Sequence, residues 1–420
     1  MNKEVFGNAS TQKLIALSQL GQWDGKERER LLIEEEREVR MWVLEVFKKW
    51  ADLKQISWRQ KSRELWLKEG DKNTNFFHKM TNARRRRNFI AKIRVNDELL
   101  TEEDGIKEGV ASAFCRILSE SGEWRLTIGI PTFDSLPSDD AEGLETPFSK
   151  EEVLVGLFDL CGDKALGMDG FIMAFWKFCW DFVKREVMGF FAEFHDVGSF
   201  ERSLNTMFIV LVPKKGGAYD LKDFRPISLV GGLYKLLAKV LANKLKKVVD
   251  KFVSNFQHAF VVGRQILDAF SIENEAIDSR IKGKLKEVIC KLDIKKAYDH
   301  VNWNFVLALL EKMGFGFKGI GWIRWCIFTV RSSILVNGSS FGFFQSSRGL
   351  RQGDPMSPYL FILAMEAFSR ILIRATGEGF FEGFLDEVEA LFMRLQVQTS
   401  NRDIEDKMIW LNSKSYIFLS

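Results

Sequence analysis

Lys291-Leu292-Asp293-Ile294-Lys295-Lys296-Ala297-Tyr298-Asp299 is the stretch around which the chain is organised. The apolar run Val288-Ile289-Cys290 precedes it and leads, with Leu292, straight into Asp293. Such a run reads as a buried strand that ends in a carboxylate. A carboxylate at a strand end, flanked by lysines, suits divalent-metal chemistry on an anionic substrate. Taken alone, an aspartate at a strand end is more often solvated or capping, and the rest of the chain changes that balance.

With 420 residues the chain is long enough for a full core and two or three domains or lobes. Its apolar fraction, 46%, is that of a globular protein rather than a disordered one. The net charge of +4 says little, but its distribution is uneven. Between Lys54 and Arg94 there are 13 Lys/Arg and 3 acids, a local net of +10. The five cysteines (115, 161, 179, 290, 326) are scattered and odd in number, which fits a reducing compartment and no disulfide framework. Four dispersed histidines give no zinc-ligand spacing. There is no amino-terminal signal pattern, and no apolar run reaches the roughly 18 residues of a membrane span. The expectation is an intracellular protein, nuclear or cytoplasmic, with no membrane partner.

Outward from Asp293, the chain alternates short extended runs with helices. Residues 24 to about 55 are charge-rich with apolar residues at helical spacing, and predict one long amphipathic helix. The basic stretch follows, with Arg59, Lys61 and Arg63 around Trp58, and then Arg84-Arg85-Arg86-Arg87. Cations interleaved with aromatics suit phosphates and stacked bases, though a solvated basic face is the other reading. A hairpin is expected over Ile93 to Leu100, then a turn-rich linker to 148. Ser149-Lys150-Glu151-Glu152 is a capping box that opens a helix through Leu160. A second helix is expected from Phe171 to about Phe194, with Phe175, Trp176, Phe178, Trp180 and Phe182 in the core. Phe208 to Val212 reads as a strand ending in Pro213-Lys214-Lys215, and Asp223-Phe224-Arg225-Pro226 follows, so basic positions sit at the ends of extended segments. Helices are expected over 233–249, 260–281 and 303–313. Asn337-Gly338 marks a two-residue hairpin turn. The loop Arg348-Gly349-Leu350-Arg351-Gln352-Gly353-Asp354-Pro355 then leads into a helix from Tyr359 to about Arg374.

Taken together these segments resemble a plant LINE-type (non-LTR) retrotransposon reverse transcriptase. The resemblance covers roughly residues 40–385. It rests on Ser57 to Ser62 with Gly70 to Thr74, Asp163-Lys164-Ala165-Leu166-Gly167-Met168-Asp169-Gly170-Phe171, Val212 to Lys215, Asp223 to Leu229, Gly263-Arg264-Gln265, the Asp293 stretch, and Arg348 to Pro358, all in family order. It implies an α+β right-hand polymerase, with fingers and a partial palm on an antiparallel sheet, preceded by a basic helical region. The implied organisation is a helical nucleic-acid-binding extension over 1–94, a linker with a short hairpin over 95–148, fingers and palm over 149–385 with a core at about 208–375, and a tail over 386–420.

Residue by residue, the resemblance makes Asp293 the catalytic metal ligand, with the Ile294 carbonyl sharing Mg²⁺ or, alternatively, Mn²⁺. Tyr298 falls at the gate against a ribose 2′-OH. Lys214 or Lys215, with Arg225, falls where the triphosphate is met, and Gln352 and Gly353 fall in the loop that supports nucleotide and template. The implied partners are an RNA template, a DNA primer and deoxynucleoside triphosphates. The family also carries paired aspartates about 45 residues after the Gln352-Gly353-Asp354-Pro355 loop, and no Asp-Asp pair follows Asp354 here. The tail, with Glu405 to Trp410 and Ser413-Lys414-Ser415, resembles sequence upstream of the family's zinc-binding region. The expectation is a truncated element, joined near Gly383 to distant sequence, without that hairpin, the thumb or a preceding nuclease, and with little or no polymerase activity. Its alternative is a non-catalytic nucleic-acid-binding remnant.

Overall fold

The computed structural model of the chain describes residues 3–30, 32–62, 82–83, 85–120, 133, 135–254, 257–265, 287–292, 294, 296–377, 410–411 and 416–419, with single positions between 267 and 278. It opens on two helices, α1 (Lys3–Glu29) and α2 (Glu34–Ser62), which pack on each other. One helix was expected over residues 24–55. The chain turns instead at Arg30–Ile33, where the Ile33 N–H donates to Glu36 Oε2 at 3.2 Å and Arg30 pairs with the same carboxylate at 2.6 Å.

The hairpin of β1 (Ile93–Val95) and β2 (Glu98–Leu100) turns on Asn96 and Asp97, both at positive φ. The segment expected to be a linker carries α3 (Glu103–Ile117). Ile106, Val110, Ala113 and Phe114 recur at helical spacing and are buried, so this helix belongs to the core. α4 (Ser138–Glu145) precedes α5 (Lys150–Asp159), and the predicted capping box is present, with Glu152 N donating to Ser149 Oγ at 3.1 Å and Ser149 N to Glu152 Oε2 at 3.3 Å.

Where a single aromatic helix was expected over 171–194 there are two, α6 (Met173–Phe178) and α7 (Trp180–Val197), broken at Cys179. Trp180, Val187, Phe191 and Phe194 fill the inward stripe of α7. Phe178 and Phe182 lie off that stripe and stand 80% and 86% exposed, so they are surface residues and not the expected core.

β3 (Thr206–Pro213) and β4 (Phe224–Val230) form an antiparallel pair from Met207↔Val230 to Pro213↔Phe224. α8 (Gly232–Lys246) follows and is buried along most of its length. β5 (Glu287–Leu292) is the expected strand before Asp293. α9 (Trp303–Lys312), α10 (Phe317–Phe328), β6 (Arg331–Val336), β7 (Ser339–Gln345) and α11 (Ser357–Gly377) complete the main body, with β8 (Trp410–Leu411) and β9 (Tyr416–Leu419) beyond it. The predicted β6–β7 turn uses Asn337 and Gly338 at φ 51° and 91°, as a two-residue hairpin turn requires. The helix expected over 260–281 falls mostly outside the described residues.

The strands form a sheet ordered β4-β3-β6-β7 and a second ordered β8-β5-β9. In the first, β3 runs parallel to β6 (Thr206↔Arg331 to Val210↔Leu335) and the other pairs are antiparallel. In the second, β5 runs parallel to β9. Both sheets are therefore mixed, where an antiparallel palm was expected. One continuous apolar cluster joins α3, α5, α7, α8, α9, α10 and α11 to the first sheet. No helix among the described residues is long and apolar enough to cross a membrane.

Candidate functional site

Three segments distant in sequence meet beside the β3–β4 pair. The first is the β3–β4 connection, whose closing turn is pinned by Lys214 N donating to Asp223 O at 2.9 Å. The second is the segment after β5, a short 3₁₀ turn over Ala297–His300 entered through Lys296 at φ 52°. The third is the loop 348–354. Gly349 N donates to Val301 O and Leu350 N to Tyr298 O, both at 2.8 Å, and Trp303 Nε1 donates to Gly349 O at 2.6 Å. Ser228 N of β4 donates to Gln352 O at 2.9 Å. The loop is thus stitched on one side to residues 298–301 and on the other to β4.

Two glycines make that approach feasible. Gly349 sits at φ 90°, and a Cβ there would press Asp299 O at 3.1 Å and Leu118 Cδ2 at 2.9 Å. Gly353 sits at φ 108°, with Ser228 O 3.2 Å from where its Cβ would be. Only glycine holds such backbone at close range without strain.

The loop divides between inside and outside. Gln352 and Gly353 are exposed, whereas Arg351 and Asp354 are buried. Arg351 Nε pairs with Asp354 Oδ2 at 3.0 Å, its Nη1 donates to Asn205 Oδ1 at 2.7 Å, and its Nη2 donates to Cys326 O at 3.0 Å and to Tyr234 Oη. Tyr234 Oη in turn donates to Asp354 Oδ2 at 2.8 Å. Burial lowers the Arg351 pKa, and the Asp354 charge opposes that shift. This network ties the loop to α8, α10 and the start of β3. The sequence reading did not single out Arg351, Asp354, Tyr234 or Asn205; the adjacency of Arg351 and Asp354 (i, i+3) was the available signal.

The predicted site residues fall as follows. Arg225 is exposed on β4, opposite Val212. Lys214 Nζ donates to Lys222 O at 2.8 Å, and Lys215, 66% exposed, pairs with Asp223 at 3.1 Å, so both are engaged locally at the turn. Tyr298 is half-buried and stacks on Phe361, centroids 4.5 Å apart, and burial raises its pKa. Ile294 is exposed beyond the end of β5. Tyr298 and Gln352 are thereby held to one loop, through Leu350 N to Tyr298 O and Ser228 N to Gln352 O. Asp293, Arg63 and Arg84 lie outside the described residues. Arg59 and Lys61 lie on α2, and Arg85, Arg86 and Arg87 are exposed.

Within the motif at 163–171 Asp169 has a structural role. Asp169 Oδ2 accepts from Gly232 N and its Oδ1 from Phe171 N at 3.3 Å, which fixes the start of α8. Arg264 donates to Gln257 O at 2.8 Å and to Ser254 O, closing its own loop.

Electrostatically the site is basic. Arg94, Arg116, Lys222, Lys296 and Arg348 line one open cleft between the β1–β2 hairpin, α3 and the β3–β4 connection, with Asp220 as the acid among them. These five are spread over 250 positions, so no local run reveals them. Asp299 is half-buried nearby; burial raises its pKa, with Lys296, His300, Arg348 and Lys214 pulling the other way. Asp293, the carboxylate the resemblance makes a metal ligand, lies outside the described residues. Among the described residues no three His, Cys, Asp or Glu cluster, and the strand beside the end of β5 sets Phe418 and Leu419 against Lys291 and Leu292.

Comparison with known proteins bears on this geometry. Residues 212–404 match the family model of reverse transcriptase (RNA-dependent DNA polymerase). The chain is 26% identical over 318 residues to an uncharacterized 149 kDa protein of transposon TX1 from Xenopus laevis, covering 74% of this chain and 24% of that one. It is 28% identical over 255 residues to a retrovirus-related Pol polyprotein from the type-1 retrotransposable element R2 of Nasonia vitripennis, covering 59% and 24%. A 45-residue segment is 53% identical to the uncharacterized mitochondrial protein AtMg01250 of Arabidopsis thaliana, covering 11% of this chain and 37% of that one. The chain spans about a quarter of the length of the first two relatives. Residues 212–404 are thus similar to a reverse transcriptase domain, in a chain of mixed helices and strands.

Proposed function

We propose that the chain is the fingers and partial palm of a plant LINE-type RNA-directed DNA polymerase, built to hold an RNA template, a DNA primer and a deoxynucleoside triphosphate. The observation that carries this reading is the joining of the β3–β4 pair, the Tyr298 segment and the Gln352-Gly353 loop by Ser228 N to Gln352 O and Leu350 N to Tyr298 O. In this reading Arg225, exposed on the same strand as Ser228, and the loop both meet the incoming nucleotide. Arg225 meets the triphosphate, the Tyr298 ring stands where a ribose 2′-OH would press, and Gln352 supports the base pair. The exposed Lys215 reaches phosphate by leaving Asp223, its ion-pair partner at 3.1 Å.

Divalent metal, when held by Asp293 and the Ile294 carbonyl, supplies charge neutralisation at the transferring phosphate. We propose that these 420 residues by themselves catalyse little or no extension. The basis is the lack of an Asp-Asp pair after Asp354 and the apolar strand β9 beside β5. The alternative, nucleic-acid binding without chemistry, draws on the +10 stretch from Lys54 to Arg94, including Arg59, Lys61, Arg63 and Arg84 to Arg87.

Primer extension on an RNA template with Mg²⁺ or Mn²⁺, comparing the chain with Asp293→Ala, tests the reading. The expected result is no extension by either, with RNA–DNA hybrid binding retained by both. Extension that disappears in Asp293→Ala means that a second carboxylate is supplied, and overturns the inactivity. A folded chain that binds no hybrid overturns the polymerase reading itself.

A further inference from the structure

A second basic site lies at the far end of the sheet. β3 and β6 run parallel and begin together at Thr206 and Arg331, so the Lys214 end of β3 is about 25 Å away at the rise of an extended strand. At the near end Arg202, Arg324, Arg331, Trp325, Phe328 and Gln345 line one pocket. Arg202 lies over the Trp325 ring at 5.7 Å and Arg324 over the Phe328 ring at 5.6 Å. All three arginines are exposed, and none forms an ion pair among the described residues. No acidic side chain lines the pocket. Trp325 Nε1 is a buried donor without an acceptor at the same place.

We propose that this pocket is a nucleic-acid-backbone site, separate from the space around Arg225, that takes successive phosphodiesters of a single strand. A guanidinium resting over an aromatic ring keeps its N–H groups for phosphate oxygens. Three like charges gathered without a counter-charge repel one another, and a polyanion relieves that repulsion. A carboxylate ligand would satisfy one guanidinium, whereas a phosphodiester chain presents charges in series to all three. The choice of a nucleic acid over another polyanion rests on the polymerase reading. The site gives the chain a contact with the strand at a distance from the nucleotide space, and so a means of retaining it.

The test is fluorescence anisotropy with a labelled single-stranded RNA, titrated with the whole chain at several salt concentrations. The comparison variant is Arg202→Gln/Arg324→Gln/Arg331→Gln, with its fold checked by circular dichroism. The expected result is at least a tenfold loss of affinity and a salt slope shallower by about 2, from three phosphate contacts at roughly 0.7 each. Arg324→Lys/Arg331→Lys keeps the charge and is expected to keep the slope while losing affinity several-fold, which also serves if the triple variant folds poorly. Wild-type affinity and slope in the Gln variant overturn this inference alone. A wild-type chain that binds no RNA at low salt overturns it together with the polymerase reading.

Discussion

Arg351 and Arg225 both come from motifs that resemble one polymerase family, and the fold uses them in opposite ways. Arg351 is buried, paired with Asp354 and bonded to Asn205, Tyr234 and the Cys326 carbonyl. Arg225 is exposed on β4, three residues before the Ser228 N–H that holds Gln352 O. The difference teaches that a motif records two kinds of constraint at once. One set of residues holds the loop in place, and another is left free to meet a ligand. Charge and motif membership alone do not separate them; burial does.

The sharpest way to break this contrast is at Arg351. Removing one partner of a buried, hydrogen-bonded pair leaves the other charge stranded, at about 3–5 kcal/mol. Arg351→Met is expected to lower stability by that much, read as a shift of the urea unfolding midpoint. Adding Asp354→Asn to it is expected to restore part of the loss, because the stranded carboxylate is gone. A midpoint that stays at the wild-type value would place Arg351 with the ligand-facing residues.

Gly167 asks the same of the 163–171 motif. A Cβ at Gly167 would overlap Val230 O and crowd Gly231 N, both backbone atoms that cannot swing away. Gly167→Ala is therefore expected to destabilise by about 1–3 kcal/mol, as overpacking does. Denaturant unfolding checks it. A neutral effect would move this motif from the architectural side of the comparison to the ligand-facing side.

Asp299 stands on the border between the two regions, and pH reads its position. Burial raises its pKa above the ordinary aspartate value in the folded chain. The folded state then holds its proton more tightly than the unfolded state. The stability so gained is present below the ordinary aspartate pKa and is lost as pH rises through the raised one. Asp299→Asn is expected to flatten that decline in unfolding midpoint on the acid side. The effect is smaller than that of either change above, because four cations offset the burial.

Much of this arrangement was legible in the chain. The Ser149 capping box, the Asn337-Gly338 hairpin and the β3–β4 strands follow from local chemistry, in which near neighbours decide the backbone. Two long helices were misread because their breaks, at Arg30–Ile33 and Cys179, carry no proline and the breaks are set by contacts. The exposed Phe178 and Phe182 were misread because aromatic content does not say which face is inward. The candidates Arg225, Tyr298, Gln352 and Gly353 came from family resemblance alone. The Arg351 network and the cleft of Arg94, Arg116, Lys222, Lys296 and Arg348 were not legible, since their members lie far apart in sequence and only the tertiary fold gathers them.

The smallest effect on stability is expected where the effect on ligand is greatest. Arg225 is exposed on β4, so Arg225→Ala should change unfolding free energy by no more than the roughly 0.5 kcal/mol usual for surface positions. Binding should respond differently. If Arg225 meets the triphosphate, affinity for a deoxynucleoside triphosphate falls in Arg225→Ala, and Arg225→Lys recovers only part of it because a point charge does not reproduce the guanidinium fork. Equilibrium binding of a labelled triphosphate, set beside the unfolding midpoints of the same variants, separates the two quantities. Loss of binding with unchanged stability keeps Arg225 apart from Arg351. Loss of both, or of neither, removes the distinction between holding the loop and meeting the ligand.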